Sequence, residues 1–491
     1  MQIQIIIKNS FSYISYNFSE LPQYIQNAIV KELSYNKKSN MDSYEVYLLT
    51  KNRRNEGDDK YYIFPTGLLL RLYRKLKSLS DESKRIQINF KDQRGGLIEP
   101  RDFEPFLKRL NKVMENFERR DYQINAIKLC LKYKRGLIEH STSAGKTLIL
   151  AGLAYSLNTK TLILCIGKEH IFQIQKDLGA MVGGHITVYG GPYKNLEGDI
   201  VIATVQSLNS FRKRNENRFK EIMKQFKCVI ADEIHILVGE INKTIFYYAT
   251  NAIYRYGFSG TMYREDGAFM EAEAAIGPIL DKKDYSFLEK KNYISKANFY
   301  LIDPMCKILL GQENYWPYCL SSGIVNNEKR NLKIVQICEY YRKLKKQILV
   351  ITPFRVKHGK ILEKLIPDSK FVYGESENLE RQQALENFRN KEFSVIISST
   401  IFDLVINLPN LNAVILAGGG KSHNSFFQRV GRGIRKASGK NHVDIILFWD
   451  SHSSVLLKHS KVLKSYIEKV DTWKDNIKFI GKYRNKYMRW G

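Results

Sequence analysis

The tightest constraint on this chain is the stretch Ser141-Thr142-Ser143-Ala144-Gly145-Lys146-Thr147. It follows the short apolar segment Gly136-Leu137-Ile138-Glu139 and His140, and it runs into Leu148-Ile149-Leu150-Ala151. A strand, a run of small residues ending in Gly-Lys-Thr and then an apolar helix is the layout of a phosphate-binding loop. Small residues let backbone N–H groups surround phosphate oxygens, the lysine places a point charge near the β- and γ-phosphates, and the Thr147 hydroxyl suits Mg²⁺. Ser143, Ala144, Gly145, Lys146 and Thr147 are therefore candidate nucleotide-binding residues. The consensus has a glycine six residues before the lysine, where this chain has His140. Taken alone, the loop also fits the start of an ordinary helix, so the rest of the chain decides.

From about residue 118 to 285, short apolar strands alternate with helical stretches, as in a parallel α/β sheet. The strands are expected at Gly136–Glu139, Thr161–Ile166, Asp199–Ala203, Cys228–Ala231 and Gly257–Ser259. The fourth delivers Asp232-Glu233-Ile234-His235 to a strand end. An acidic pair at that place is suited to holding Mg²⁺ through Asp232 while Glu233 polarises an attacking water. A second α/β block spans about 326 to 450, with strands expected at Gln347–Ile351, Lys370–Tyr373, Ser394–Ser398, Ala413–Leu416 and His442–Phe448. It has no second Gly-Lys-Thr loop. It carries instead Gln428-Arg429-Val430-Gly431-Arg432-Gly433-Ile434-Arg435, in which Arg432 and Arg435 would share one helical face. Such a pair usually means a surface or a salt bridge. It is also the arrangement of an arginine finger directed at a γ-phosphate.

The remaining segments frame these blocks. Residues 1–95 read as a small α+β module, with strands at Gln2–Ile7 and Tyr44–Leu49 and a helix at Leu68–Leu79 that interleaves Arg71, Arg74, Lys75 and Lys77 with apolar residues. That basic face fits either a phosphate backbone or plain solvent. A linker helix is expected within 96–117, an irregular connector over 286–325, and a basic, aromatic, helical tail over 451–491. The 78 Lys and Arg against 50 Asp and Glu leave a formal charge of +28. A globular chain that basic is expected to hold a polyanion, nucleic acid first, although a lysine-rich solvated surface gives the same sum. The six cysteines are scattered without a Cys-x-x-Cys pair, pointing to a reducing compartment and away from structural zinc. The amino-terminal apolar run is too short for a signal peptide, and no run reaches the roughly 18 residues of a membrane span. The chain is expected to be soluble and intracellular, in the cytoplasm.

The order of these motifs resembles a superfamily 2 helicase of DExH type over residues 118–450, which implies two RecA-like parallel-sheet motor domains (118–285 and 326–450) beside the small amino-terminal domain. Arg120-Asp121-Tyr122-Gln123 is similar to the adenine-reading Q motif, and Ser141–Thr147 to motif I. Leu162–Lys168 stands at motif Ia, Thr204-Val205-Gln206-Ser207 at Ib and Asp232–His235 at motif II. Ser259-Gly260-Thr261 stands at motif III, Ile351-Thr352-Pro353-Phe354 at IV, Ser398–Pro409 at V and Gln428–Arg435 at VI. Within the superfamily, Gly257–Asp266 is similar to the XPB-like branch. Phe64-Pro65-Thr66-Gly67, the Thr-Ser-Ala-Gly-Lys core and His358-Gly359-Lys360 are similar to the UvsW-type phage recombination helicases, which remodel branched DNA by fork reversal and branch migration.

The resemblance implies ATP and Mg²⁺ as cofactors and DNA, or else RNA, as partner. Lys146, Asp232, Glu233, Arg432 and Arg435 would carry hydrolysis, with Thr147 and Asp232 at the metal. Arg120, Gln123 and Gln428 would join the loop around the nucleotide, and His235, Ser259 and Thr261 would couple hydrolysis to domain movement. Lys168, Thr204, Gln206, Ser207, Thr352, His358, Lys360 and Thr400 would contact nucleic acid. Motif V departs from the XPB-like pattern, with Phe402, Val405 and Asn407 beside the retained Asp403 and Leu408-Pro409. That departure leaves a non-hydrolysing nucleic-acid-binding relic as an alternative to a working motor in DNA recombination and repair.

Overall fold

Apolar runs too short for helices become strands buried on both faces, the hallmark of parallel sheets. The computed structural model describes residues 2–15, 18–38, 43–51, 62–80, 86–114, 117–237, 245–262, 267–308, 315–353, 356–373, 378–399, 408 and 410–481. The chain divides into two units: residues 1–140 with 145–282, and residues 283–491, with which the short stretch 141–144 is grouped.

The first unit is built on an eight-stranded sheet in the order Tyr193–Lys194, Ile186–Gly190, Ile200–Thr204, Thr161–Cys165, Cys228–Ala231, Tyr254–Ser259, Arg135–His140, Ile279–Lys283. The five strands expected from sequence are all in it. From Ile186–Gly190 through Arg135–His140 each neighbouring pair is parallel, so their carboxyl ends lie along one edge. Three strands were not expected. Of these, Ile279–Lys283 is half polar and partly exposed, so its sequence lacks the apolar run that marks its neighbours. Helix Lys146–Leu157 is apolar on nearly every face because it is buried nearly all round. Gly152 lets it approach helix Asp121–Tyr133, since a Cβ there would stand 2.5 Å from Ile127 Cδ1.

The amino-terminal module forms a five-stranded sheet in the order Thr50–Lys51, Tyr62–Pro65, Phe11–Ser15, Gln2–Ile7, Gln87–Asp92. Helix Leu69–Ser78 turns Leu72 and Leu76 into its core, which Met270 and Ala274 of helix Phe269–Ala275 complete. The module thus shares a core with the first sheet's unit. A Cβ at Gly67 would fall 2.0 Å from the Glu273 carbonyl oxygen, so only glycine permits this approach. Of the basic residues on helix Leu69–Ser78, Arg71 is engaged by Glu32 (2.8 Å) and Glu273 (3.0 Å), while Arg74 is exposed. Tyr35 donates to the Glu271 carboxylate, and Lys37 lies 3.4 Å from it. At the carboxyl end of the same helix, the buried guanidinium groups of Arg135 and Arg255 both donate to the Ala275 carbonyl, as suits a helix dipole.

The second unit is a seven-stranded, wholly parallel sheet in the order Ser369–Val372, Val395–Ser399, Ile348–Thr352, Ala413–Leu416, His442–Phe448, Lys296–Ile302, Ile477–Ile480. Two of its strands come from segments read as connector and tail. Lys296–Ile302 alternates polar and apolar residues, and it becomes internal only because Ile477–Ile480 pairs outside it. The tail is anchored by Trp473, buried with its indole N–H donating to Glu289 Oε2 at 2.9 Å, and by Thr472, which donates to the same oxygen at 2.8 Å. Burial raises the Glu289 pKa against these two donors. The aromatic residues at 483–490 lie outside the described residues. No helix among the described residues is long and apolar enough to cross a membrane.

Gly359 shows how closely this unit packs: a Cβ would fall 2.1 Å from Phe371 Cε2. Gly359→Ala is expected to lower unfolding free energy by about 1–3 kcal/mol through overpacking, read as a lower urea midpoint at unchanged slope.

Candidate functional site

The strand Arg135–His140 ends in a buried histidine whose ring is fixed from the side, Nε2 lying 2.6 Å from Asp281 Oδ2. His140 thereby stands where the loop consensus has glycine, and its carbonyl accepts a hydrogen bond from Lys146 Nζ at 3.2 Å. The loop then turns tightly, with Ser143 and Gly145 both at φ 74°. The positive φ favours glycine at 145, and the missing Cβ leaves room for the Gln123 amide, whose Nε2 would lie 2.4 Å from it. Gln123 is buried and donates to the Gly145 carbonyl at 3.5 Å, while Arg120 Nε lies 3.5 Å from Glu118.

Strand Cys228–Ala231 brings the acidic pair to the same sheet edge. Lys146 Nζ is 3.7 Å from Glu233 Oε1, and His235 Nδ1 is 3.3 Å from Glu233 Oε2. Glu233 has φ 51°, a strained conformation for a side chain of that size and typical of functional sites. Burial works to raise its pKa, yet Lys146, His235 and His170 together bring it down to about 2. The carboxylate is therefore charged at neutral pH. Behind it, Ser259 Oγ donates to the Thr261 carbonyl at 2.5 Å and is left to accept from His235 Nδ1 at 2.6 Å. Glu233, His235, Ser259 and Thr261 thus form one connected line.

His170 was not singled out from sequence. It sits in the first turn of helix Lys168–Met181 and places Nε2 3.3 Å from Asp232 Oδ2. Burial opposes its charge, but the Asp232 carboxylate outweighs this and its pKa is raised. The only available signal was its position just past the carboxyl end of Thr161–Cys165. For a divalent cation, the donor set of the Asp232 carboxylate and the Thr147 hydroxyl consists of hard oxygens and fits Mg²⁺, which keeps several waters.

The residues expected to touch nucleic acid fare unevenly. Gln206 is exposed and Ser207 half-buried, but Thr204 is buried and caps helix Val205–Arg214 by accepting from Ser207 N at 3.3 Å. Thr352 is corrected: it is fully buried, donating to the Ser398 carbonyl at 3.2 Å. His358 is corrected as well. It is fully buried with Nε2 2.9 Å from Asn331 Oδ1, and burial and the nearby Arg330 lower its pKa to about 3. Lys360 is exposed. Thr400 lies outside the described residues, as do the side chain of Lys168, residues 263–266, Phe354, and Phe402, Asp403, Val405, Asn407 and Pro409 of motif V.

In the second unit, helix His423–Gly433 holds Gln428 and the largely buried Arg432. Arg435 does not share its face. The helix stops at Gly433, which packs on Val414, and Arg435 enters an antiparallel bridge with Ile294. Lys440 Nζ donates to the carbonyls of Gly433 and Arg435, closing the helix end, and burial with Arg435 lowers its pKa to about 7.

Two family models match this layout in order: the Type III restriction enzyme, res subunit over residues 116–264, and the Helicase conserved C-terminal domain over residues 331–437. The first spans the loop and the acidic pair, and the second spans the arginine helix. Over these two domains the chain is similar to helicases of superfamily 2. Among its relatives, the DNA 3'-5' translocase XPB2 of Sulfurisphaera tokodaii is 28% identical over 365 residues, 66% of this chain and 80% of that protein. The ATP-dependent DNA helicase uvsW of Enterobacteria phage T4 is 26% identical over 427 residues, 82% of this chain and 81% of that one. The fold is also that of Saccharomyces cerevisiae Dbp5 bound to RNA and ADP BeF3, with TM-score 0.56 at 14% identity, over 77% of this chain and 93% of that chain.

Proposed function

We propose that this protein is an ATP-dependent DNA helicase or translocase that remodels branched or forked DNA. The observation that carries the reading is Glu233, held as a carboxylate between Lys146 and His235 at the end of a parallel strand. A carboxylate kept charged and held in one orientation suits orienting and polarising an attacking water. The choice of DNA rests on the two relatives, both named as acting on DNA.

In this reading the loop backbone and Lys146 bind the triphosphate, and Gln123 steadies the loop through Gly145. Glu233 orients the attacking water and takes up its proton, and His235 and Ser259 hold Glu233 in place. Asp232 and Thr147 would hold Mg²⁺, which supplies charge neutralisation at the β- and γ-phosphates when bound. Arg432 and Arg435 are assigned to stabilising charge on the transferring phosphoryl group.

A strand-labelled fork, incubated with protein and ATP, tests this directly. Conversion to regressed or separated products that requires hydrolysable ATP is the expected result. Stable fork binding with no ATP-dependent product would remove the remodelling claim.

A further inference from the structure

The first unit carries an aromatic pair for which the hydrolytic site has no use. Phe172, on helix Lys168–Met181, and Tyr193, just past strand Ile186–Gly190, are 40% and 52% exposed and meet edge to face with ring centroids 5.2 Å apart. Single exposed apolar residues need no explanation, but two aromatic rings held against each other in solvent forgo burial together. Their placement is built in. Tyr193 pairs with Gly190 in a tight antiparallel return, and a Cβ at Gly190 would fall 2.3 Å from Ile171 Cδ1, so glycine is what lets this turn close onto the helix beside Phe172.

The pair lies along the carboxyl edge of three neighbouring strands, Ile186–Gly190, Ile200–Thr204 and Thr161–Cys165. The exposed Gln206 follows the second of these, and helix Lys168–Met181 follows the third. Two exposed lysines lie close along the chain: Lys194, the residue after Tyr193, whose ammonium sits 5.1 Å over the Tyr189 ring, and Lys176, one turn along the helix from Phe172. Aromatic faces among lysines at a strand-contacting edge match the chemistry of an unpaired base on an anionic backbone. The helix also connects this place to the acidic pair, because His170, two residues before Phe172, abuts Asp232.

We propose that Phe172 and Tyr193 form a stacking platform for an unpaired DNA base, set on the helix that touches the acidic pair. The proposal rests on the reading of the protein as a DNA motor and adds base recognition to it.

The test compares binding of a fluorescent oligo(dT) with an abasic oligonucleotide of equal length, by anisotropy at one salt concentration. Stacking on a single platform predicts that the native protein prefers oligo(dT) by about 5- to 100-fold. Phe172→Ala and Tyr193→Ala should bind the abasic strand as the native protein does and lose most of that preference, whereas Tyr193→Phe should keep it. Equal native affinity for the two strands would overturn the platform, as would alanine variants that retain the preference or that lose both strands alike. Failure of the native protein to bind either strand would overturn the motor reading itself. DNA-stimulated ATP hydrolysis without any base preference would sink the platform and leave the motor standing.

Discussion

Glu233→Gln is expected to lower steady-state ATP turnover by about 10²- to 10⁴-fold with little change in nucleotide affinity. The substitution keeps the side chain's size while removing its negative charge and its capacity to take a proton. Lys146 and His235, which lie 3.7 and 3.3 Å from the carboxylate, would then face a neutral amide. Binding should persist because Lys146 remains anchored to the His140 carbonyl, independently of residue 233. A fluorescent nucleotide titration beside the turnover assay separates the two effects. Loss of affinity equal to the loss of rate would show that Glu233 serves binding rather than water activation.

Arg330→Met is expected to destabilise the second unit by about 3–5 kcal/mol, measured by urea unfolding. Arg330 is fully buried, donates to both oxygens of Asp450 at 2.8 and 3.2 Å and to the Ala417 carbonyl at 2.6 Å, and lies 4.1 Å from the Phe448 ring centroid. Removing it strands a buried carboxylate without its counter-charge. The double variant Arg330→Met, Asp450→Asn should therefore recover part of the loss, because it removes the unpaired charge as well. A single variant as stable as the native protein would mean that water reaches Asp450 and replaces the guanidinium.

The parts of this fold legible in sequence are those set by local pattern. Continuous apolar runs marked the buried parallel strands, and the carboxyl-edge rule of such sheets then placed Lys146, Asp232 and Glu233 together. Strands with mixed composition, such as Lys296–Ile302 and Ile279–Lys283, take their state from neighbours far along the chain, and no window of sequence contains those neighbours. The same holds for His140 with Asp281, 141 positions apart, and for His170 with Asp232, about 60 positions apart. Thr352 and His358 were misread because a polar residue in a motif looks the same whether it faces a ligand or an internal carbonyl or amide. Arg435 was placed on the helix by spacing alone, whereas the helix ends at Gly433 and Arg435 pairs with Ile294, about 140 positions earlier.

The central claim is a DNA-driven ATPase, and the most direct measurement is steady-state ATP hydrolysis with no polymer, single-stranded DNA, forked DNA and RNA, with Glu233→Gln in parallel. Strong stimulation by DNA, abolished in the variant, is the predicted result. Stimulation by RNA alone, or no hydrolysis under any of the four conditions, would contradict it.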